Sequence, residues 1–295
     1  MISLGMGISA TFSMWSKMET ALTSVGRIKT FEEDSPQEPV VETEVAADWP
    51  AQGRIEFHNV SAKYDPNGDE STVVLHNVNL TIEAGKKVGI VGRTGSGKTA
   101  LMMLLAKMVS CTGEITIDGV NLNSVDNELL RARITAIPQD SIEIPGTLRF
   151  NICPFEYRAK VEDSLMISIL TRMGIWEYLS ERGGLDAEIK GLKLSPGQRQ
   201  MVCITRGIVH HLQTRSKVVL MDEISSQLDY ETDKTVQEVL EAEFKDCTML
   251  TIAHRTETLK DVDMLIEMAE GIATTSIPSK TVVTGEPSSS ATASE

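Results

Sequence analysis

The chain has few cysteines and no paired ones. Cys111, Cys153, Cys203 and Cys247 are its four in 295 residues, widely spaced and without a Cys-x-x-Cys pair. That excludes a disulfide framework and a cysteine-based zinc site, and it implies reduced thiols in a cytosolic domain. His58, His76, His210 and His211 show no metal-ligand spacing and are expected to be ordinary surface or turn residues. Excess basic charge is missing too: the net charge is −14. Binding a phosphate backbone needs clustered Lys and Arg, so no nucleic-acid partner is expected. A long apolar run is also absent. MISLGMGISATFSMW, at the start, falls short of the roughly 20 residues that span a bilayer, and it lacks the basic segment that opens a signal peptide. Two readings stay open for it: a lone amphipathic helix, or the cytoplasmic end of a membrane helix whose upstream part lies outside this chain. No internal repeat is present.

What is there suffices for a core: 41% of residues are hydrophobic and 24% charged. Four stretches differ in character. Residues 1–30 read as a helix, with Met14, Met18, Ala21, Leu22 and Val25 at helical spacing. Residues 31–52 (FEEDSPQEPVVETEVAADWP and the two that follow) read as an acidic linker. Residues 53–271 carry the folded domain. Residues 272–295 form a Ser/Thr-rich tail expected to be disordered. Within the domain, strand-like runs (RIEFHNVSAKY, VVLHNVNLTI, KKVGIVG, EITIDG, ITAIPQD, KVVLMDE, TMLTIAH, DMLIEM) are interrupted by helices expected at Lys98–Val109 and Glu231–Phe244. Short Val/Ile/Leu strands separated by helices predict an α/β fold with a mainly parallel core sheet. The early hairpin-like strands predict an antiparallel β subdomain beside it. Helical patterning over about 154–206 predicts an inserted helical subdomain.

Several motifs sit where such a sheet places ligands. Gly92, Arg93, Thr94, Gly95, Ser96, Gly97, Lys98 and Thr99 spell G-x-x-x-x-G-K-[ST] between a strand and a helix, the context that a phosphate-binding loop requires. Glycines let the backbone wrap a phosphate with its N–H groups inward, and the helix N-terminus adds a favourable dipole. Lys98 would reach the β- and γ-phosphates and Thr99 would bind Mg²⁺. In KVVLMDE an apolar strand ends in two acids: Asp222 is placed to hold Mg²⁺ and Glu223 to polarise an attacking water. Tyr64 follows the first strand and could stack on adenine, or be an ordinary strand tyrosine. Gln139 and His254 each follow an apolar strand on the ligand-binding edge. Gln139 could meet Mg²⁺ or water and His254 the γ-phosphate; each could equally be a satisfied loop residue. In LKLSPGQRQM, Ser195, Pro196 and Gln198 make a capping box with proline at the first helical position.

Taken in order, Tyr64, GRTGSGKT, Gln139, LSPGQRQ, VVLMDE, SSQLD and His254 resemble the ATP-binding cassette of an ABC transporter over about Gly53 to Met268. In that family these are the aromatic A-loop, Walker A, Q-loop, signature, Walker B with its catalytic glutamate, D-loop and H-loop. WPAQGRIEFHNVSAKY, IPQDSIEIPGTLRFNICPF and MDEISSQLDYETD resemble the second nucleotide-binding domain of the C subfamily, the multidrug-resistance-associated exporters, fungal ones especially. KMETALTSVGRIKTFEE is similar to the segment that joins the last membrane helix to that domain. The resemblance implies a P-loop NTPase of the ABC type, with ATP and Mg²⁺ as cofactors and Glu223, His254 and Gln139 in the catalytic roles. It implies metal contacts from Thr99, Gln139 and Asp222, and partners in a second cassette, paired head to tail, and in transmembrane domains. Ser195, Gly197 and Gln198 would then meet the γ-phosphate of the partner's nucleotide. The expected location is the cytoplasmic face of a plasma or vacuolar membrane. Pro196 stands where glycine is commonest, and Ile224 and Gln227 depart from the small residues usual around the D-loop. The missing membrane domains suggest a fragment.

Three rivals are weighed against this. A chromosome-type ABC ATPase would need a long coiled coil, and Lys98 to Ser195 shows no sustained heptads. A small-molecule P-loop kinase has no use for LSPGQ. A truncated, non-catalytic ATP-binding module remains as the alternative.

Overall fold

The computed structural model describes residues 2–35, 38, 45–64, 72–154, 161–253 and 261–277. Two compact units divide the chain, Met1–Val40 and Val41–Glu295. The first is one helix, α1 (Ile2–Asp34). It runs past the expected end at residue 30, because FEED carries no helix breaker. It stops at Ser35, immediately before Pro36, where a proline disfavours helical backbone in the residue ahead of it. Its side chains from Phe12 to Phe31 are exposed. No helix among the described residues is long and apolar enough to cross a membrane.

The second unit holds two sheets. β1 (Ile55–Lys63), β2 (Val73–Ile82), β4 (Ser110–Ile117) and β5 (Val120–Asn121) form an antiparallel sheet in the order β2-β1-β4-β5. The core sheet has the order β10-β9-β3-β8-β7-β6, from β3 (Lys87–Gly92), β6 (Ile134–Ile137), β7 (Val218–Asp222), β8 (Thr248–Ile252), β9 (Met264–Ala269) and β10 (Ile272–Ser276). All its pairings are parallel except β9 with β10. The expected architecture of a parallel core sheet beside an antiparallel subdomain is therefore found.

Strand alternation explains why the core sheet is buried on both faces. Along β7, Val219 and Met221 point into one core and Val218 and Leu220 into the other. The first core is filled by the helical insertion: α4 (Leu148–Ile152), α5 (Asp163–Arg172), α6 (Trp176–Ser180) and the long α7 (Pro196–Thr214). The second core is shared by the antiparallel sheet and α2 (Lys98–Leu105). α8 (Tyr230–Glu243) closes the first core through Val236, Val239 and Leu240. Between α2 and β6 lies the short α3 (Asn127–Arg133). α7 approaches β6 so closely that a Cβ on Gly207 would lie 2.6 Å from Ile137 Cγ1.

Several boundaries differ from those expected, each for a physical reason. Residues 45–52 belong to the body rather than to a free linker. Trp49 is 4% exposed and its Nε1 donates to Ile117 O at 2.9 Å, while Arg133 Nη2 donates to Ala47 O at 2.7 Å. Asp118 accepts the N–H groups of Gln52, Gly53 and Arg54, which fixes the entry to β1. Residues 272–276 are a strand rather than tail. Glu270 and Gly271 both have positive φ, 48° and 76°, so they make the kind of tight turn that joins antiparallel strands. Glutamate is uncommon there, which hid the hairpin. α2 stops at Leu105 rather than Val109, because Lys107 turns left-handed (φ 50°). His210 and His211 are half-buried on α7 instead of lying in surface turns. Thr135 Oγ1 is 3.1 Å from His210 Nδ1 and 2.6 Å from Ser216 Oγ, and His211 Nδ1 is 3.0 Å from Ser216 O.

Candidate nucleotide-binding site

β3 ends at Gly92, and the chain turns through residues 93–97 before α2 begins at Lys98. At Gly92 and Gly97 the turn leaves no room for a side chain. Gly92 has φ 154°, and a Cβ there would sit 2.3 Å from Met268 O and 2.6 Å from Ser96 Oγ. Gly97, left-handed at φ 101°, caps α2 without a side-chain hydrogen bond, so no capping side chain occupies the first N–H groups of that helix. Ser96 O accepts from Gly271 N at 3.2 Å, which ties the loop to the β9–β10 turn. The Ser96 hydroxyl is buried and has no hydrogen-bond partner among the described residues.

Lys98 is 7% exposed, and its ammonium donates to Gly92 O at 2.9 Å and Arg93 O at 3.2 Å. It thus sits across the mouth of the loop, held by main-chain carbonyls. An anion entering the loop would offer it a charged acceptor instead, roughly twice as strong a partner as a neutral carbonyl.

Around this loop lies a cleft of about 280 Å³ lined by Tyr64, Val74, Thr94, Gly95, Gly97, Lys98, Thr99, Ala100, Gln139 and Glu223. The tertiary structure therefore brings together residues that are up to 159 positions apart in sequence, Tyr64 to Glu223. Tyr64 is 59% exposed at the cleft edge, so its ring face is open. Gln139 Nε2 donates to Glu223 Oε2 at 3.1 Å. Glu223 has left-handed backbone, φ 44°, an uncommon state for a side chain without a local hydrogen-bonding habit. Its N–H donates to Ile252 O at 3.1 Å, and the turn directs its carboxylate to Gln139. Asp222, the last residue of β7, pairs in register with Ile252 and is half-buried beside the cleft without lining it. His254 lies outside the described residues.

Ser195, Gly197 and Gln198 are not among the residues of that cleft. Ser195 caps α7: its Oγ accepts from Gln198 N at 3.2 Å, and Gln198 Oε1 accepts from Ser195 N at 2.9 Å. The expected capping box is present, and it occupies the Gln198 N–H that was expected to face a phosphate. The Ser195 hydroxyl hydrogen and the Gly197 N–H are not used by the box. Val74 and Ala100 line the cleft although no motif marks them; only the register of β2 and the start of α2 place them. A second and larger cavity, about 760 Å³, opens on the other side of the loop between residues 91–96 and the β9–β10 hairpin. Among the described residues no cluster of three or more His, Cys, Asp or Glu is placed to hold a metal.

A glycine-wrapped loop between a parallel strand and a helix, faced by the acid at the tip of β7, defines a P-loop NTPase domain. The chain belongs to the ABC transporter family, whose model matches residues 75–226. An ABC-type transporter of Gibberella zeae is 37% identical over 267 residues, 90% of this chain and 18% of that protein. ABC multidrug transporter B of Aspergillus fumigatus is 37% identical over 273 residues, 92% of this chain and 18% of its own length. The mouse ATP-binding cassette sub-family C member 3 is 36% identical over 276 residues, again 92% and 18%. The chain thus spans about a fifth of the curated relatives it matches, and the resemblance to C-subfamily and fungal transporters holds. Among solved structures, a bacterial Atm1-family ABC exporter with ATP bound superposes with a TM-score of 0.73 at 26% identity, over 86% of this chain and 43% of that one.

Proposed function

We propose that this chain is an ATP-hydrolysing cassette that powers export of organic or conjugated substrates by a membrane transporter. The observation that carries this is the single cleft in which the phosphate loop, an exposed aromatic ring, Gln139 and Glu223 converge.

The residues fit Mg²⁺-ATP. The open first turn of α2 and the ammonium of Lys98 offer donors for the phosphates. Thr99 Oγ1, Asp222 and Gln139 supply hard oxygen ligands of the kind Mg²⁺ takes. When bound, Mg²⁺ neutralises charge on the phosphates. Tyr64 would stack on the adenine and hold the nucleotide in register. Glu223 would accept the proton of an attacking water, which Gln139 orients; His254 is assigned to the γ-phosphate side by its motif alone. Such positioning and fixed charge make up most of the catalysis of phosphoryl transfer. Because Ser195 stands outside this cleft, the cassette would need a second one, head to tail, to present its Ser195 hydroxyl and helix N-terminus to the partner's γ-phosphate. The presence of Glu223 suits the second cassette of a C-subfamily pair. The transmembrane domains and the cytoplasmic face of a membrane belong to the same proposal.

The alternative is a cassette that binds ATP and regulates a partner without hydrolysing it. The half-site formed by one chain favours that reading for the chain in isolation. Phosphate release by the purified chain, alone and mixed with a matching first cassette, tests the proposal. Turnover that rises on mixing is expected. ATP binding without turnover in either condition would favour the regulatory module.

A further inference from the structure

Two different sheets supply the walls of the cleft. Tyr64 and Val74 belong to the antiparallel one: Tyr64 follows β1, Val74 lies on β2, and the two strands pair at Lys63 and Val73. The phosphate loop belongs to the core sheet, at the end of β3. A nucleotide bound as proposed would place its base on the first wall and its phosphates on the second. The gap between the walls therefore has to match the length of one molecule.

Gly271, in the β9–β10 turn, bonds to both sides. Its N–H donates to Ser96 O in the phosphate loop at 3.2 Å, and its carbonyl accepts from His76 N on β2 at 2.9 Å. The contact is this close because Gly271 has no side chain. A Cβ there would lie 2.6 Å from Val74 O and 2.8 Å from His76 Cδ2, and at φ 76° it would also strain the backbone. Behind the loop the packing is open. The cavity of about 760 Å³ runs along residues 91–96, and the buried Ser96 hydroxyl has no hydrogen-bond partner among the described residues. On that side the loop is held by main-chain ties such as the one at Ser96 O.

We propose that Gly271 is a positioning residue that sets the spacing between the Tyr64–Val74 wall and the phosphate loop. The inference rests on the cleft binding ATP. Two subsites held at the right separation bind a linked ligand far more tightly than either half, because the second contact forms at a high effective concentration. A wrong spacing removes that gain and leaves each subsite intact.

Gly271→Ala isolates the effect. The three atoms nearest to the added methyl belong to Val74 and His76, and none to the phosphate loop. The variant should therefore push β2 away from the turn while the Gly271 N–H keeps Ser96 O. His76→Pro reaches the same contact from the other side, by deleting the N–H that Gly271 O accepts. β2 is an edge strand, where proline is tolerated.

The test is calorimetric titration of the full 295-residue chain with Mg²⁺-ATP and with Mg²⁺-tripolyphosphate, which fills the phosphate loop alone. Thermal melts in parallel check folding. In the wild type, ATP is expected to bind at least about tenfold more tightly than tripolyphosphate. In Gly271→Ala, ATP affinity should fall by roughly tenfold and tripolyphosphate affinity should stay within about threefold. His76→Pro should show the same split, and it decides the matter if the alanine variant does not fold. Equal losses for the two ligands would reduce Gly271 to a structural role and overturn the proposal. So would ATP affinity that is unchanged in the folded variants. A wild type that binds neither ligand would instead remove the functional reading on which the inference stands.

Discussion

Gln139 and Glu223, one at the end of β6 and the other at the end of β7, are joined by a hydrogen bond of 3.1 Å from amide to carboxylate. They close one wall of the phosphate-loop cleft, and the two neighbouring parallel strands set their spacing. The bond is at the exposed edge of the cleft, so a bound water or nucleotide could replace it at little cost. Glu223→Gln keeps the shape and a hydrogen-bonding partner for Gln139 while removing the base. It should bind ATP about as well as the wild type and lose roughly 10²–10⁴-fold in turnover in the paired cassette. Phosphate-release kinetics check this, and near-normal turnover would place the base elsewhere.

Lys98→Ala removes the ammonium that sits at the mouth of the loop. A hydrogen bond to a charged partner contributes about 1.5–3 kcal/mol, so ATP affinity should fall by roughly 10–100-fold. Titration with a fluorescent ATP analogue reads this directly. Unchanged affinity would mean that the loop does not receive the phosphates.

Ser195→Ala deletes the cap of a 19-residue helix. A loss of about 1 kcal/mol in stability is expected in urea unfolding. ATP affinity of the isolated chain should not change, because Ser195 lies outside the cleft. A fall in affinity without a fall in stability would show that Ser195 acts on the nucleotide of its own chain.

His211 has its pKa lowered, chiefly by burial, against the raising effects of a bond to Ser216 and the nearby Glu243 charge; Lys217 adds to the lowering. The folded state thus favours the neutral ring. Below the ordinary histidine pKa of about 6.5 the unfolded chain binds more protons than the folded one. The stability held by His211 is therefore full above that pH and is lost progressively as pH falls below it. Urea midpoints between pH 7.5 and 5.5 should fall less steeply in His211→Gln than in the wild type. Parallel slopes would contradict the assignment.

Gly207→Ala places a methyl 2.6 Å from Ile137 Cγ1, and Ile137 directly precedes the Pro138–Gln139 loop. Overpacking of this kind costs about 1–3 kcal/mol. A lower melting temperature is expected, and an unchanged one would mean that the helix–sheet contact yields freely.

Much of the cleft is legible in the chain because its parts are local. A loop that must wrap a phosphate needs glycine at Gly92, Gly95 and Gly97, and a lysine and a hydroxyl at the helix start; these are contiguous, so spacing exposes them. Ser195 and Gln198 show their capping box for the same reason. The hairpin at Glu270–Gly271 was hidden, since its turn is imposed by strand pairing rather than by its residues. Trp49, in a stretch that reads as linker, is buried because Ile117 O and the Asp118 carboxylate, far along the chain, receive its ring N–H and the N–H groups that follow.

The sequence by itself determined the alternation of strands and helices, the phosphate loop, and the acids at the tip of β7, because hydrophobic period and local backbone requirements are written residue by residue. Only the tertiary structure decided that Tyr64, Gln139 and Glu223 share one cleft, that Ser195 does not, and that Gly271 ties the phosphate loop to β2. Those relations depend on which strands become neighbours and on how closely α7 approaches β6, distances set by packing across the whole core.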